Sequence, residues 1–172
     1  MTWTAFHRRG EVLRTVVETA DQRVDGELPL YVDGVSETFR DAHDLLGALQ
    51  LRWHTRLAGR IERELMSQPM NLEEAVVTAW QRTADEMPGV RAVLDRHRAH
   101  PLDDAMARVA ATSAAKEHVL LAVMAGLGGP DDARSVRVGE RIEKRARATY
   151  VAASRVASEP TLFDRLRAVL AA

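Results

Sequence analysis

The chain has 172 residues, with 24 basic and 25 acidic side chains and a formal net charge of -1. That balance excludes a strong overall field for nucleic acid or acidic membrane. The absence of cysteine excludes disulfides, thiolate catalysis and Cys-ligated metal.

The length suits one domain, 1–172, which buries enough surface to fold without a covalent or metal staple. No apolar run reaches the roughly 18–20 residues that a membrane helix needs. The longest, Val119 to Leu127, is short and contains glycine. Met1 to Arg14 carries no apolar signal core. The chain therefore reads as cytoplasmic. Its basic residues are nearly all arginine, with lysine only at Lys116 and Lys144, which points to a high-GC bacterial genome.

In chain order, Phe6, Leu13, Val16, Val17, Ala20 and Val24 recur at three- and four-residue steps and predict a helix over 4–24. Asp25-Gly26, Pro29 and Asp33-Gly34 then mark a turn-rich crossing, with Leu28, Leu30 and Val32 alternating through it. Val35, Phe39, Ala42, Leu46, Leu49, Trp53, Leu57, Ile61 and Leu65 form one stripe. They predict a single helix of about eight turns, stopped by Pro69.

Asn71 with Glu74 resembles a capping box and opens the next helix, with Leu72, Val76, Ala79, Trp80, Thr83 and Met87 facing inward. Pro88-Gly89 interrupts it, and Val90, Val93 and Leu94 carry a short segment to about His100. Pro101 and Pro130 are each followed by aspartates and are expected at first helical positions. Gly126 to Gly129 separate those two helices as a C-cap and turn. A last short helix is expected from Thr161 to Ala171. Together these elements predict an all-α, up-and-down antiparallel bundle of four long helices with shorter helices at the ends.

Ser113 and Lys116 match the Ser-x-x-Lys spacing of an acyl-transfer nucleophile, but the partner motifs and a supporting sheet are missing. They fall instead on a stripe running Leu102, Met106, Val109, Ser113, Lys116, Leu120, Val123 and Leu127. The expectation is a buried polar pair, with Lys116 answered by Glu62 or Glu64.

A helical bundle invites comparison with di-iron proteins, which need Glu-x-x-His, and none occurs here. His43, His54 and Glu117 remain as metal candidates, with Glu117 and His118 expected not to face inward together. His97 and His100 are one turn apart at a helix C-terminus, where capping competes with metal binding. Arg134, Arg137, Arg141 and Arg145 form a basic ridge, with Arg155 beyond. It lacks the aromatic platform of a nucleic-acid site, so a solvated face is expected.

No phosphate-binding glycine loop or zinc-protease motif is present. No catalytic set survives, and no cofactor is implied. The leading expectation is a non-enzymatic protein acting by association, with itself as a homodimer or larger oligomer or with a protein partner. Trp3 and Phe6 are possible anchors of that contact. The alternative is an interior ligand or degenerate metal site built from His43, His54, Glu62, Lys116 and Glu117.

Overall fold

A computed structural model describes residues 3–67 and 70–151, with residues 3–6 as backbone only. Pro69, the side chains of Trp3 and Phe6, Arg155 and the helix expected from Thr161 lie outside what is described. The described residues form seven helices and no strand. In order they are α1 Trp3–Arg23, α2 Val35–Thr38, α3 Ala42–Ser67, α4 Leu72–Glu86, α5 Pro88–Ala99, α6 Asp104–Met124 and α7 Arg134–Ala148. No described helix is long and apolar enough to cross a membrane.

The bundle is built on two antiparallel hairpins, α3–α4 and α6–α7, joined through α4 and α7. Helix α1 packs on α5. The core runs along Leu45, Leu49, Trp53, Leu57 and Ile61 of α3, with Val76 and Trp80 of α4, Val90 of α5 and Leu121 of α6. These side chains are almost fully withdrawn from solvent, so the three- and four-residue spacing of α3 becomes one continuous buried face.

Two helix crossings depend on glycine. A Cβ on Gly89 would lie 1.8 Å from the Ala20 carbonyl oxygen, and one on Gly139 would lie 1.8 Å from that of His118. Only a residue without a side chain lets these backbones meet. Next to the first crossing, Asp21 Oδ1 accepts hydrogen bonds from the Gly89 and Val90 N–H groups, at 2.8 and 3.2 Å. A carboxylate from α1 thus satisfies donors left over at the start of α5.

Several local expectations hold. Asn71 Oδ1 accepts from Glu74 N at 3.1 Å at the start of α4. At the end of α6, Gly126 has a φ of 70°. Its N–H reaches the Val123 carbonyl at 3.0 Å, and Leu127 N–H reaches Ala122 O at 2.9 Å. This is a Schellman ending.

Others need correction. The single helix expected from Val35 breaks after one turn, because Phe39 is extended and Asp41 opens a fresh helix by accepting from Asp44 N at 2.8 Å. Pro101 and Pro130 precede their helices instead of opening them. Asp103 caps α6 by accepting from Met106 N at 2.8 Å, and Asp132 accepts from Arg134 N at 2.9 Å. Pro88 is the proline at a helix start.

The stripe assigned to α6 is also displaced. Leu102 and Val109 are 62% and 53% exposed, and Lys116 is exposed, while Glu117, His118, Leu121 and Ala122 are buried.

Candidate functional site

The interior holds an ion network that joins α5, α6 and α7 and takes in one tryptophan each from α3 and α4. It starts at Glu117 of α6, 1% exposed. Indole N–H groups can only donate, so a buried tryptophan needs an acceptor. Glu117 provides one for each of two. Trp53 Nε1 donates to its Oε2 at 3.2 Å and Trp80 Nε1 to its Oε1 at 3.4 Å. The two indoles meet edge to face, with ring centroids 6.0 Å apart.

Arg91 of α5 completes the charge balance at Glu117. Its Nη1 lies 3.6 Å from Oε1, an ion pair outside hydrogen-bond range. Its guanidinium also stacks over Trp53, 4.7 Å from the ring centroid. Arg91 Nη2 reaches Asp95 Oδ1 at 2.7 Å. Asp95 then takes a two-pronged contact from Arg147 of α7, at 2.9 and 2.7 Å.

Arg147 continues to Glu143, with its Nη2 2.7 Å from Oε1. Glu143 also faces His118 Nε2 at 2.7 Å and Arg98 at 3.2 Å. Three guanidiniums, of Arg91, Arg98 and Arg147, therefore meet three carboxylates, of Asp95, Glu117 and Glu143. Burial pushes the Glu143 carboxyl up, yet His118, Arg98 and Arg147 outweigh it and hold it well below the usual carboxylate range. Burial likewise pushes Arg147 down, and Asp95 with Glu143 more than reverses this.

The network borders a cleft of about 340 Å³ between α4, α5 and α7, where Trp80 and Tyr150 face Arg91 and Arg147. Tyr150 Oη donates to Asp85 at 2.8 Å. Partial burial and that carboxylate push its hydroxyl up to about 12.

The residues singled out by sequence are scattered. His43 Nε2 lies 3.1 Å from Asp103 Oδ1, tying α3 to the cap of α6. His54 borders a shallow cleft of about 220 Å³ with Ser113 and Lys116. Ser113 is half-buried and Lys116 exposed, so no buried Ser–Lys pair forms. Glu64, proposed for Lys116, is buried and accepts from Arg82 at 2.6 Å, whereas Glu62 is exposed.

His97 turns inward and bonds the Val93 carbonyl of its own helix at 2.8 Å, while His100 is the exposed C-cap. The two do not share a site. Glu117 and His118, expected to exclude each other, are both buried, because α6 is covered on two sides. Among the described residues no three His, Asp or Glu side chains converge to hold a metal.

The basic ridge divides by role. Arg134 pairs with Asp132 beside its own helix start. Arg145 meets Glu73 and Glu74 of α4. Arg137 and Arg141 are exposed. Arg147, two residues on from Arg145 and so turned to another face of α7, belongs to the interior network instead.

Sequence reasoning missed Arg91, Asp95, Glu143 and Arg147. One signal was available: two tryptophans on buried stripes require buried acceptors, and α6 contains one carboxylate, Glu117, near its middle.

An open groove of about 660 Å³ runs along α3, edged by α1 and α6. Its apolar wall includes Leu13, Gly47, Ala48, Leu51 and Val109. Leu51 is 68% exposed. Arg9, Arg40 and Arg52 stand around it, with the Asp44 carboxyl lowered by a hydrogen bond from Arg9. No protein-family model, curated protein or solved structure matches this chain.

Proposed function

We propose that this protein is a non-enzymatic helical bundle that acts by association, and that the groove along α3 is its contact surface. The supporting observation is the open groove itself, with the large apolar side chains of Leu51 and Val109 left in solvent on a charge-rich chain. Contiguous exposed apolar surface rimmed by polar groups is characteristic of interaction sites. The interior carboxylates and guanidiniums are matched to one another. They hold α5, α6 and α7 together.

The test is native mass spectrometry of the untagged chain, alone and with Leu51→Arg. A dimer or larger assembly at the sequence mass, lost in the variant, is the expected result. A strict monomer that captures no protein through this face overturns the reading.

A second reading is favoured by one observation, the 340 Å³ cleft beside Arg91, Arg147, Trp80 and Tyr150. Aromatic walls with two guanidiniums suit a small planar anion. Added organic mass on each protomer in the same spectrum would support it over association.

A further inference from the structure

Resting on the association reading, we propose that the partner is a second copy of this chain, and that two α3 helices pair antiparallel about a two-fold axis at Thr55.

An ordinary surface helix turns charged and polar residues to solvent. The outward line of α3 instead runs Ala48, Leu51, Thr55 and Ala58 between Asp44 at one end and Glu62 at the other, with Arg52 beside it. These positions step by three, four, three and four, the spacing of a helix seam that packs on another helix. The opposite face, through Leu49, Trp53, Leu57 and Ile61, is already spent on the core. Ala48 packs against the core, but Leu51 and Thr55 further along the line are exposed.

Two glycines flank the line. A Cβ on Gly47 would meet nothing within 4 Å, and one on Gly59 would meet only the Arg63 guanidinium, at 3.9 Å. Glycine inside a helix costs roughly 1 kcal/mol relative to alanine. At Gly89 and Gly139 a crossing helix accounts for that cost. At Gly47 and Gly59, as at Gly10 of α1, no neighbour among the described residues does.

The face is self-complementary, which selects a second copy over an unrelated partner. In an antiparallel pair centred on Thr55, residues at equal distance from Thr55 oppose each other. Leu51 then seats on Gly59 of the second copy, and symmetry repeats the contact. Ala48 opposes Glu62, and Arg52 lies one turn from Ala48, within reach of that carboxylate. Arg52 and Glu62 are both exposed and make no ion pair or hydrogen bond among the described residues. The pairing joins them twice.

Sedimentation velocity on the full chain over a wide concentration range tests this, together with oxidation of Thr55→Cys. The native chain has no cysteine, so the introduced thiol is the sole one. The wild type is expected to dimerise, and Leu51→Arg to weaken the dimer by about 30-fold or more with an unchanged circular dichroism spectrum. Arg52→Glu should weaken it too, and adding Glu62→Arg should restore it. Thr55→Cys should close an intersubunit disulfide, while Arg137→Cys, on distant α7, should not.

A dimer that ignores Leu51→Arg and leaves Cys at 55 reduced overturns the α3 pairing but leaves association standing. A monomer at every concentration also overturns the pairing. A photoreactive residue at position 51 then separates the two ideas. A cross-link to another protein in cells keeps association with a different occupant, and no cross-link removes both.

Discussion

Glu117 and Trp53 are 64 residues apart in sequence, yet Trp53 Nε1 donates to Glu117 Oε2 at 3.2 Å inside the bundle. The carboxylate also accepts from Trp80 and balances Arg91. A buried charge in this position is tolerable only while every partner is present.

Removing one partner should therefore cost more than removing two. Glu117→Leu is expected to destabilise by about 3–5 kcal/mol, because Arg91 then keeps a buried charge with less compensation. Arg91→Met added to Glu117→Leu should recover most of that loss. Urea unfolding followed by tryptophan fluorescence measures both. A double variant as unstable as the sum of the singles would refute the coupling.

Acid should act through Glu143. Its carboxyl is depressed in the folded protein by His118, Arg98 and Arg147, while in the unfolded chain it titrates near the ordinary value of about 4.3. Between those values the unfolded state binds the extra proton, so stability falls as pH falls. The contribution is present in full above about pH 5 and is lost progressively below it. Denaturation curves of wild type and Glu143→Gln across acidic pH should converge as pH drops. A gap that stays constant would count against this account.

Glycines should divide into two classes. Gly139→Ala forces a Cβ against the His118 carbonyl at 1.8 Å, and should cost about 1–3 kcal/mol or more through overpacking. Gly10→Ala, in α1 with nothing within 4 Å, should stabilise by about 1 kcal/mol. Thermal unfolding of the two variants checks the opposite signs.

Val24 follows α1 with a φ of 51°, the one non-glycine residue with positive φ among those described. A β-branched side chain is poorly suited to that region, and the residue is 40% exposed. Val24→Asn should raise stability by roughly 0.5–1 kcal/mol, since asparagine tolerates the left-handed conformation at a helix end. A loss in urea unfolding would show that packing against the Trp80 cleft outweighs the strain.

Tyr150 should titrate late. Its hydroxyl is pushed up to about 12 by partial burial and Asp85. Ultraviolet difference titration should place one tyrosine near that value in the folded protein. Asp85→Asn should bring it down, by removing the negative charge that opposes ionisation.

The all-α class, the helix order, the core face of α3, the Asn71 cap and the Gly126 ending were all legible in the sequence. Each depends on residues within a few positions of one another, where spacing and turn chemistry dictate local backbone geometry. The break at Phe39 was not legible, because the apolar stripe continues across it while Asp41 restarts the helix. The buried face of α6 was hidden too, since its many alanines fit several stripes and the helix is covered on two sides.

Tertiary structure alone decided that Glu117 and His118 are both buried, that Lys116 is not, and that Arg147 joins Asp95 and Glu143. Burial of a charge depends on partners brought from other helices, and no local pattern encodes which carboxylate will meet which guanidinium.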